Sequence, residues 1–357
     1  MKKRVFVGLS GGVDSSVSAA LLKKDGYDVT GVFIKVWQPD FMDCNSKEDR
    51  LDAMRVAAHL GIPFRTLHLE KEYKKEVVDY MIAEYQKGNT PNPDAMCNKE
   101  IKFGAFLKYA RKEGANYVAT GHYARNVFDK KTKKYKLLKG LDENKDQSYF
   151  LWTLGQGELS KIIFPVGEYK KEKVRTLAEK FGLITAAKKD SQGLCFVGKV
   201  DMKKFLKHFI KEKGGDVINT DGKVIGKHDG ATFYTLGERH GFTITKKSPS
   251  DCPYYVMDKN IRGNTITVSH ERVLPRDESM AARVVAKKIN FTGGTPRAGE
   301  NLSVRFRYRE KLIPCRIVSV KGGSIEIAPL DKQFIAPAGQ SLVLYRKNEC
   351  VGGGIIS

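Results

Sequence analysis

Nowhere in this chain do two cysteines stand close together. The six, at positions 44, 97, 195, 252, 315 and 350, form no CxxC pair and no Cys/His cluster. That spacing argues against a structural zinc site and an iron–sulfur cluster. Scattered cysteines in a chain of 357 residues are no disulfide framework either. Taken one at a time, each reads as a small buried hydrophobe. No apolar run reaches the length of a membrane span. The start, MKKRVFVGLSGG, places basic residues before a short apolar stretch, but glycines follow at once. No h-region or cleavage site develops, so a cytoplasmic address is expected. Internal repeats and low-complexity tracts are also missing.

What is present describes an ordinary globular protein with an unusual charge. The chain is 41% hydrophobic, 29% charged and 10% aromatic, long enough for two or three domains each with its own core. The formal net charge is +22. Residues 1–100 hold 15 Lys+Arg and 15 Asp+Glu, whereas residues 101–357 hold 48 against 26. A compositional bias would spread more evenly. An excess loaded late in the chain is the footprint of a polyanion binder, and nucleic acid is the expected partner.

The first half alternates strand and helix signals. RVFVGLS reads as a buried strand, and Val13, Val17, Ala20 and Leu21 then share one helix face up to Gly26. DVTGVFIKVW is a second strand. SKEDRLDAMRVAAHLG opens on a capping-box pattern, Ser46 with Asp49, and stops at Gly61 before Pro63. FRTLHLE is a third strand, and YVATGHYA a fourth after a helix carrying Phe103, Phe106, Leu107 and Ala110. Such βα alternation implies a parallel sheet with helices on both faces and a ligand at the carboxyl ends of its strands. After about residue 210 the pattern turns to strands. GDVINTDGKVIG reads as a hairpin with an Asp-Gly turn. In NLSVRFRYRE, Leu302, Val304, Phe306 and Tyr308 alternate with Ser303, Arg305, Arg307 and Arg309, which predicts one apolar and one strongly basic strand face. SIEIAPL and SLVLYRK continue the pattern. The expected fold class is α/β: a parallel-sheet nucleotide-binding domain over 1–207, a small β-rich central domain over 208–274 and a C-terminal β-barrel over 275–357.

Between the first strand and helix lies Ser10-Gly11-Gly12-Val13-Asp14-Ser15. Glycines there let backbone amides turn toward an anion, and the helix N-terminus adds partial positive charge. Ser10 and Ser15 can donate hydroxyls. Asp14 can cap the helix or hold Mg²⁺. No Gly-Lys-Ser/Thr follows, so this is not a loop that passes on a γ-phosphate, and it is not the dinucleotide GxGxxG pattern. By itself the loop leaves the substrate open.

The loop resembles SGGxDS of the PP-loop ATP pyrophosphatases. That resemblance implies that ATP is cut between its α- and β-phosphates, a substrate oxygen is adenylated and pyrophosphate leaves. NTPNPDAMCNKEIKFG (89–104), ATGHYAR (119–125), KDQSYFLW (145–152), DSQGLCFVG (190–198), YTLGERHG (234–241) and RFRYR (305–309) are together similar to the tRNA-uridine 2-thiolating branch of that superfamily. The similarity runs in order along essentially the whole chain. It implies a tRNA-uridine 2-sulfurtransferase that replaces O2 of the wobble uridine, position 34, with sulfur.

The same resemblance distributes roles. Gly8, Leu9, Ser10, Gly11, Gly12, Val13, Asp14, Ser15, Ile34 and Gly121 fall on ATP positions, although Ile34 on its own reads equally well as core. Asn92, Pro93 and Asp94 fall around the target base, with Asp94 a candidate general acid/base or an ordinary turn residue. His122, Lys145, Asp146, Gln147, Arg307, Tyr308 and Gln340 fall on tRNA positions. Without the resemblance, Lys145 reads as a solvated lysine and His122 as a core histidine. Cys97 is expected as the nucleophile and Cys195 as the carrier of the persulfide, with a transient Cys97–Cys195 disulfide. Cys97 follows the Asn-Pro-Asp turn where a helix is expected to begin, a position that favours a thiolate. Cys195, between Gly193 and Gly198, reads as part of a loop. The other four cysteines keep the structural reading. ATP and Mg²⁺ are the implied cofactors. The implied partners are tRNA of the glutamate, glutamine and lysine acceptors and a persulfide donor fed by a cysteine desulfurase, with no membrane. Two rivals remain: another PP-loop enzyme, amide-forming or lysidine-forming, and a non-catalytic RNA-binding protein. The first leaves the two cysteines in their motifs unexplained, and the second explains the charge alone.

Overall fold

Short apolar runs in the first half of the chain become the centre of a parallel sheet. A computed structural model describes residues 2–41, 46–190, 201–245, 252–271, 283–331 and 333–357. In chain order the first elements are β1 (Arg4–Gly8), α1 (Val13–Lys24), β2 (Asp28–Lys35), α2 (Ser46–His59), β3 (Phe64–His68) and β4 (Tyr117–Ala119). β5 (Ala124–Asp129), β6 (Lys134–Lys139) and β7 (Ile162–Ile163) follow. The sheet runs β3-β2-β1-β4-β7, with every pair parallel. Val5, Phe6 and Val7 are completely enclosed because β1 lies mid-sheet under helices on both faces. Burial of each such side chain stabilises the fold by about 1.5–3 kcal/mol.

Chain order reverses between β1 and β4, which makes this the point where the loops after the two strands diverge and leave a crevice at their carboxyl ends. The Ser10–Ser15 loop follows β1 and Gly121 follows β4, so the topology alone brings them together.

The second sheet contains β8 (Gly215–Ile218), β9 (Val224–His228), β10 (Thr243–Ile244), β11 (Tyr255–Asn260) and β12 (Thr265–Ser269), in the order β10-β9-β8-β12-β11. The β8–β9 hairpin turns at Asp221-Gly222 as its sequence predicts, with Gly222 at φ +79°. The third sheet holds β13 (Val284–Phe291), β14 (Asn301–Arg305), β15 (Ile313–Lys321), β16 (Ser324–Pro329), β17 (Ser341–Arg346) and β18 (Glu349–Ile356). These six antiparallel strands close into a barrel through a β13–β18 pairing, around a core of its own. The β5–β6 hairpin of the first domain joins the barrel's outer edge where Leu138 pairs with Glu349. Among the described residues no helix is long and apolar enough to cross a membrane.

Two local expectations are corrected. The expected strand through Arg309 stops at Arg305, because the Glu310 carboxylate accepts the N–H groups of Phe306 and Arg307 at 3.0 and 3.1 Å and folds the chain into a turn. Arg309 completes it at φ +62°. The basic face therefore does not form. Arg305 is buried against Asp146, Arg307 donates to Leu236 O and Arg309 to Asn144 O. The second correction concerns Cys97. Its helix starts at Pro93, with Asn92 as the cap, so Cys97 lies a full turn inside. The continuation, Cys97–Ala105, is wound as a π-helix.

Candidate active site

The loop after β1 is built around two serines. The Ser15 hydroxyl donates to Gly12 O at 3.0 Å and accepts the Ser10 N–H at 3.2 Å, and the two hydroxyl oxygens lie 3.2 Å apart. Gly11 has φ +74°, and a Cβ there would run into the Asp49 carbonyl of α2. A Cβ on Gly121 would sit 2.7 Å from the Ser15 amide nitrogen and 2.8 Å from the Asp14 carbonyl carbon. Both glycines are required by close approach: the loop is packed between α2 and the turn after β4, leaving Ser10 exposed and Gly8, Gly12 and Asp14 partly so. Leu9, Val13 and Ser15 are buried beneath it. Ile34 also lies in the core, 5% exposed, so only its main chain reaches the strand end.

Asp14 does not cap the helix, as its sequence position suggests it could. The helix cap is Gly12, without a side-chain bond, and the Asp14 carboxylate is held by Lys171 Nζ at 2.7 and 2.8 Å and by the Tyr123 hydroxyl at 2.7 Å. Lys171, the first residue of the Lys171–Lys180 helix, also pairs with Asp190 at 2.9 Å. Arg175, one turn further on, reaches Asp190 at 2.8 Å and Lys145 reaches it at 2.5 Å. Burial alone would raise the Asp190 carboxyl, but the Lys145 and Lys171 ammonium groups outweigh it and hold it at about 2. Lys171 and Tyr123 escaped the sequence reading. The signal that exists is Lys171 and Arg175 sharing one helix face, and it means nothing until that helix is set against Asp14.

The helix bearing Cys97 packs against the end of β1 and the turn after β4. Phe106 lies 3.7 Å from where a Gly8 Cβ would stand, and Lys102 Nζ lies 3.5 Å from His122 Nε2. His122 is buried, and burial together with Lys102 holds its pKa well below the usual value, so the ring is neutral. Its Nε2 accepts from Lys102, which leaves Nδ1 to donate to Thr120 Oγ1 at 2.7 Å. Asn92 is buried, Pro93 and Asp94 are half-buried in the first helical turn, and Cys97 is fully enclosed. Cys195 lies outside the described residues.

The tRNA positions divide into two groups. Lys145, Gln147, Arg307, Tyr308 and Gln340 are half-buried. Gln147 pairs with the Tyr123 main chain in both directions, at 2.9 and 3.0 Å. Tyr308 packs on Phe150 with ring centroids 4.6 Å apart. Asp146 and His122 are inside. The Asp146 carboxylate accepts from Arg305 at 2.9 Å, Ser148 N at 3.1 Å and Gly140 N at 3.2 Å, which directs it into the barrel contact. Cys315 and Cys350 are buried as expected, while Cys252 is exposed.

A glycine-serine phosphate cradle at the switch point of a parallel sheet, followed by two β domains, defines a nucleotide-binding α/β protein with appended β modules. The family models agree in order: a tRNA methyl transferase HUP domain matches residues 3–199, a tRNA methyl transferase PRC-barrel domain 203–270 and an aminomethyltransferase beta-barrel domain 282–356. Curated relatives match end to end. The tRNA-specific 2-thiouridylase MnmA of Enterococcus faecalis is 43% identical over 99% of this chain and 95% of its own length. Those of Hydrogenovibrio crunogenus and Geobacillus thermodenitrificans are 45% and 44% identical, each over 99% of this chain and 94% of their own. The chain belongs to the tRNA-specific 2-thiouridylase family.

Proposed function

We propose that this protein is a cytoplasmic tRNA-uridine 2-sulfurtransferase that uses ATP to exchange O2 of the wobble uridine, position 34, for sulfur. The observation that supports this best is the turn after β4: its Gly121 lies against the Ser10–Ser15 loop, and its His122 lies against Lys102 and Phe103 of the helix that carries Cys97. On this reading one turn joins the segment that activates the base to the helix that carries the thiol. The methyl transfer named in the domain descriptions accounts for neither the AMP-forming type of loop nor this thiol. Our domain limits are 1–207, 208–274 and 275–357.

In the proposed reaction the uridine O2 attacks the α-phosphorus of ATP, and pyrophosphate leaves. The amides of residues 8–15 and the ammonium of Lys171 face the developing charge. Lys171 supplies the cation that the loop itself lacks. Asp14 would hold a Mg²⁺ arriving with ATP, which would supply further neutralisation of phosphate charge. Asp14 is the loop's own carboxylate, and an ion held mainly by phosphates needs only one or two carboxylates. The terminal sulfur of a Cys195 persulfide then attacks C2, and AMP leaves with the former O2. Cys97 thiolate attacks Cys195 Sγ, the S–S bond to the nucleotide breaks, and its electrons form the C2 thiocarbonyl. A thiol reductant returns the Cys97–Cys195 disulfide to two thiols. Since Cys97 is enclosed, its attack requires the wall around it to open. Asp94, in the first turn of the same helix, is the candidate carboxylate for a proton transfer at the base. The base itself has to leave the anticodon stack to reach this site.

The sulfur donor on this reading is a persulfide relay protein fed by a cysteine desulfurase, and the acceptors are the glutamate, glutamine and lysine tRNAs. The experiment is mass analysis of anticodon nucleosides after incubation of unmodified tRNA with ATP, Mg²⁺ and a persulfide donor charged by a cysteine desulfurase and cysteine. A sulfur-for-oxygen gain at position 34 is expected, and unmodified uridine there sinks the reading. Cys97→Ser and Cys195→Ser each abolish thiolation, and full activity in either removes the relay.

A further inference from the structure

The barrel touches the first domain at the segments proposed to receive the RNA, and the contact is hydrogen-bonded through its centre. Thr90 N–H donates to Ala338 O at 2.7 Å, and a Cβ on Gly339 would stand 2.8 Å from Asn89 Cβ. Two residues on, the Asn92 side chain uses both ends. Its Oδ1 accepts the Ala95 N–H at 3.1 Å, capping the helix that carries Asp94 and Cys97, and its Nδ2 donates to Ser341 Oγ at 3.1 Å. Ser341, 249 residues later in the chain, also accepts from Trp152 Nε1 at 3.0 Å. Asn92, Trp152 and Ser341 are 8%, 2% and 1% exposed, so water offers no substitute partner. The Tyr149 hydroxyl fastens the same place, shared between Phe306 O and Ser341 O at 2.9 Å each.

The donor pattern admits one assignment. An indole nitrogen only donates, and the cap bond fixes which end of the Asn92 amide faces Ser341. The Ser341 hydroxyl is therefore the acceptor for two buried donors. We infer that Ser341 is a positioning residue: through Asn92 it sets the first turn of the helix that presents Asp94 and Cys97. The barrel thereby shapes the reaction site in addition to any hold it has on RNA. This role rests on the reaction proposed above, but its structural half can be measured without that reaction.

Ser341→Ala is compared with Trp152→Phe in the full-length protein. Both variants remove one partner from the same buried knot, so a general loosening would show in both. Only Ser341→Ala cuts the link to Asn92. Hydrogen exchange at the Ala95 amide should rise about 10-fold or more in Ser341→Ala and stay at the wild-type rate in Trp152→Phe. With saturating tRNA and ATP, kcat for thiolation should fall about 10-fold in Ser341→Ala, with KM for tRNA changed less than two-fold. Unchanged Ala95 exchange in Ser341→Ala, equal loosening in both variants, or a loss confined to KM overturns the inference. A wild-type protein that does not thiolate tRNA removes the proposed function instead and leaves the exchange comparison to decide the link.

Discussion

The loop end of the first domain and the turn after β14 both gather charge, and they dispose of it in opposite ways. Around the loop, Asp14, Lys171, Asp190, Lys145 and Arg175 form a chain of pairs on the rim of a crevice; Lys171 is 12% exposed, but its carboxylate partners Asp14 and Asp190, like Lys145 and Arg175, are each about 30% exposed. Such a network can exchange partners when an anion arrives. At the barrel, Arg305 and Asp146 are 10% and 1% exposed, and Asp146 is held besides by two backbone donors. That pair is closed. A surplus of positive charge in the sequence therefore says little about where a polyanion will lie. Burial of the carboxylate partner, 1% exposed at Asp146 against 31% and 28% at Asp14 and Asp190, decides which cations remain available.

The largest expected effect is at the closed pair. Arg305→Ala leaves the enclosed Asp146 carboxyl without the one ionic partner it has among the described residues, which costs about 3–5 kcal/mol of stability. Urea unfolding measures it. A loss below 1 kcal/mol would mean that water reaches Asp146 and that the two regions differ less than their burial implies. Replacing Asp146 as well should not restore stability, because Gly140 N and Ser148 N lose their acceptor.

At the open network the balance reverses. Lys171→Ala should lower kcat/KM for ATP in thiolation about 100-fold, roughly 2.7 kcal/mol, while leaving unfolding stability within about 1 kcal/mol. Asp14, Asp190 and their neighbours can turn to solvent when the lysine is gone. A stability loss as large as that of Arg305→Ala, with kcat/KM unchanged, would make Lys171 a structural tie rather than the loop's cation. Gly121→Ala probes the same place sterically. The added methyl displaces the Ser15 amide, and about a 10-fold rise in KM for ATP is expected, with tRNA binding by filter retention unaltered. A wild-type KM there would show that the loop can give by several tenths of an ångström without harm.

Most of what surrounds these sites was legible because it is local. The strand–loop–helix from Arg4 to Lys24, the Ser46 helix and the Asp221-Gly222 hairpin each rest on signals within a dozen residues. The helix start at Pro93 was legible too. Asn followed by Pro is a cap and a first helical position, and taking it for a turn misplaced Cys97 by one helical turn. What could not be read are the partners that the fold supplies. Lys171 meets Asp14 across 157 residues and Asn92 meets Ser341 across 249, and no periodicity encodes either. The alternation from Leu302 to Arg309 failed for a different reason. A period-2 pattern describes side chains only while the strand lasts, and Glu310 ends it by capturing two backbone donors.

The smallest effect separates the two regions by pH. Asp190 has a folded value of about 2 against an ordinary 3.8, because Lys145 and Lys171 overcome the cost of its burial. A depressed carboxyl stabilises the fold fully above its unfolded value, and that contribution is lost as pH falls from about 4 toward 2. After discounting for its partial exposure, it amounts to on the order of 1 kcal/mol. Asp229 is also held at about 2 by Lys203 and Lys207 against its own burial, so the acid limb of the wild-type curve is composite. The difference between wild type and Asp190→Asn isolates the loop network. Unfolding free energies of the two should differ most near pH 6 and converge by about pH 2. Parallel curves over that range would show that the rim carboxylate titrates alike in the folded and unfolded chains. The network around the loop would then be as loosely held as any surface pair.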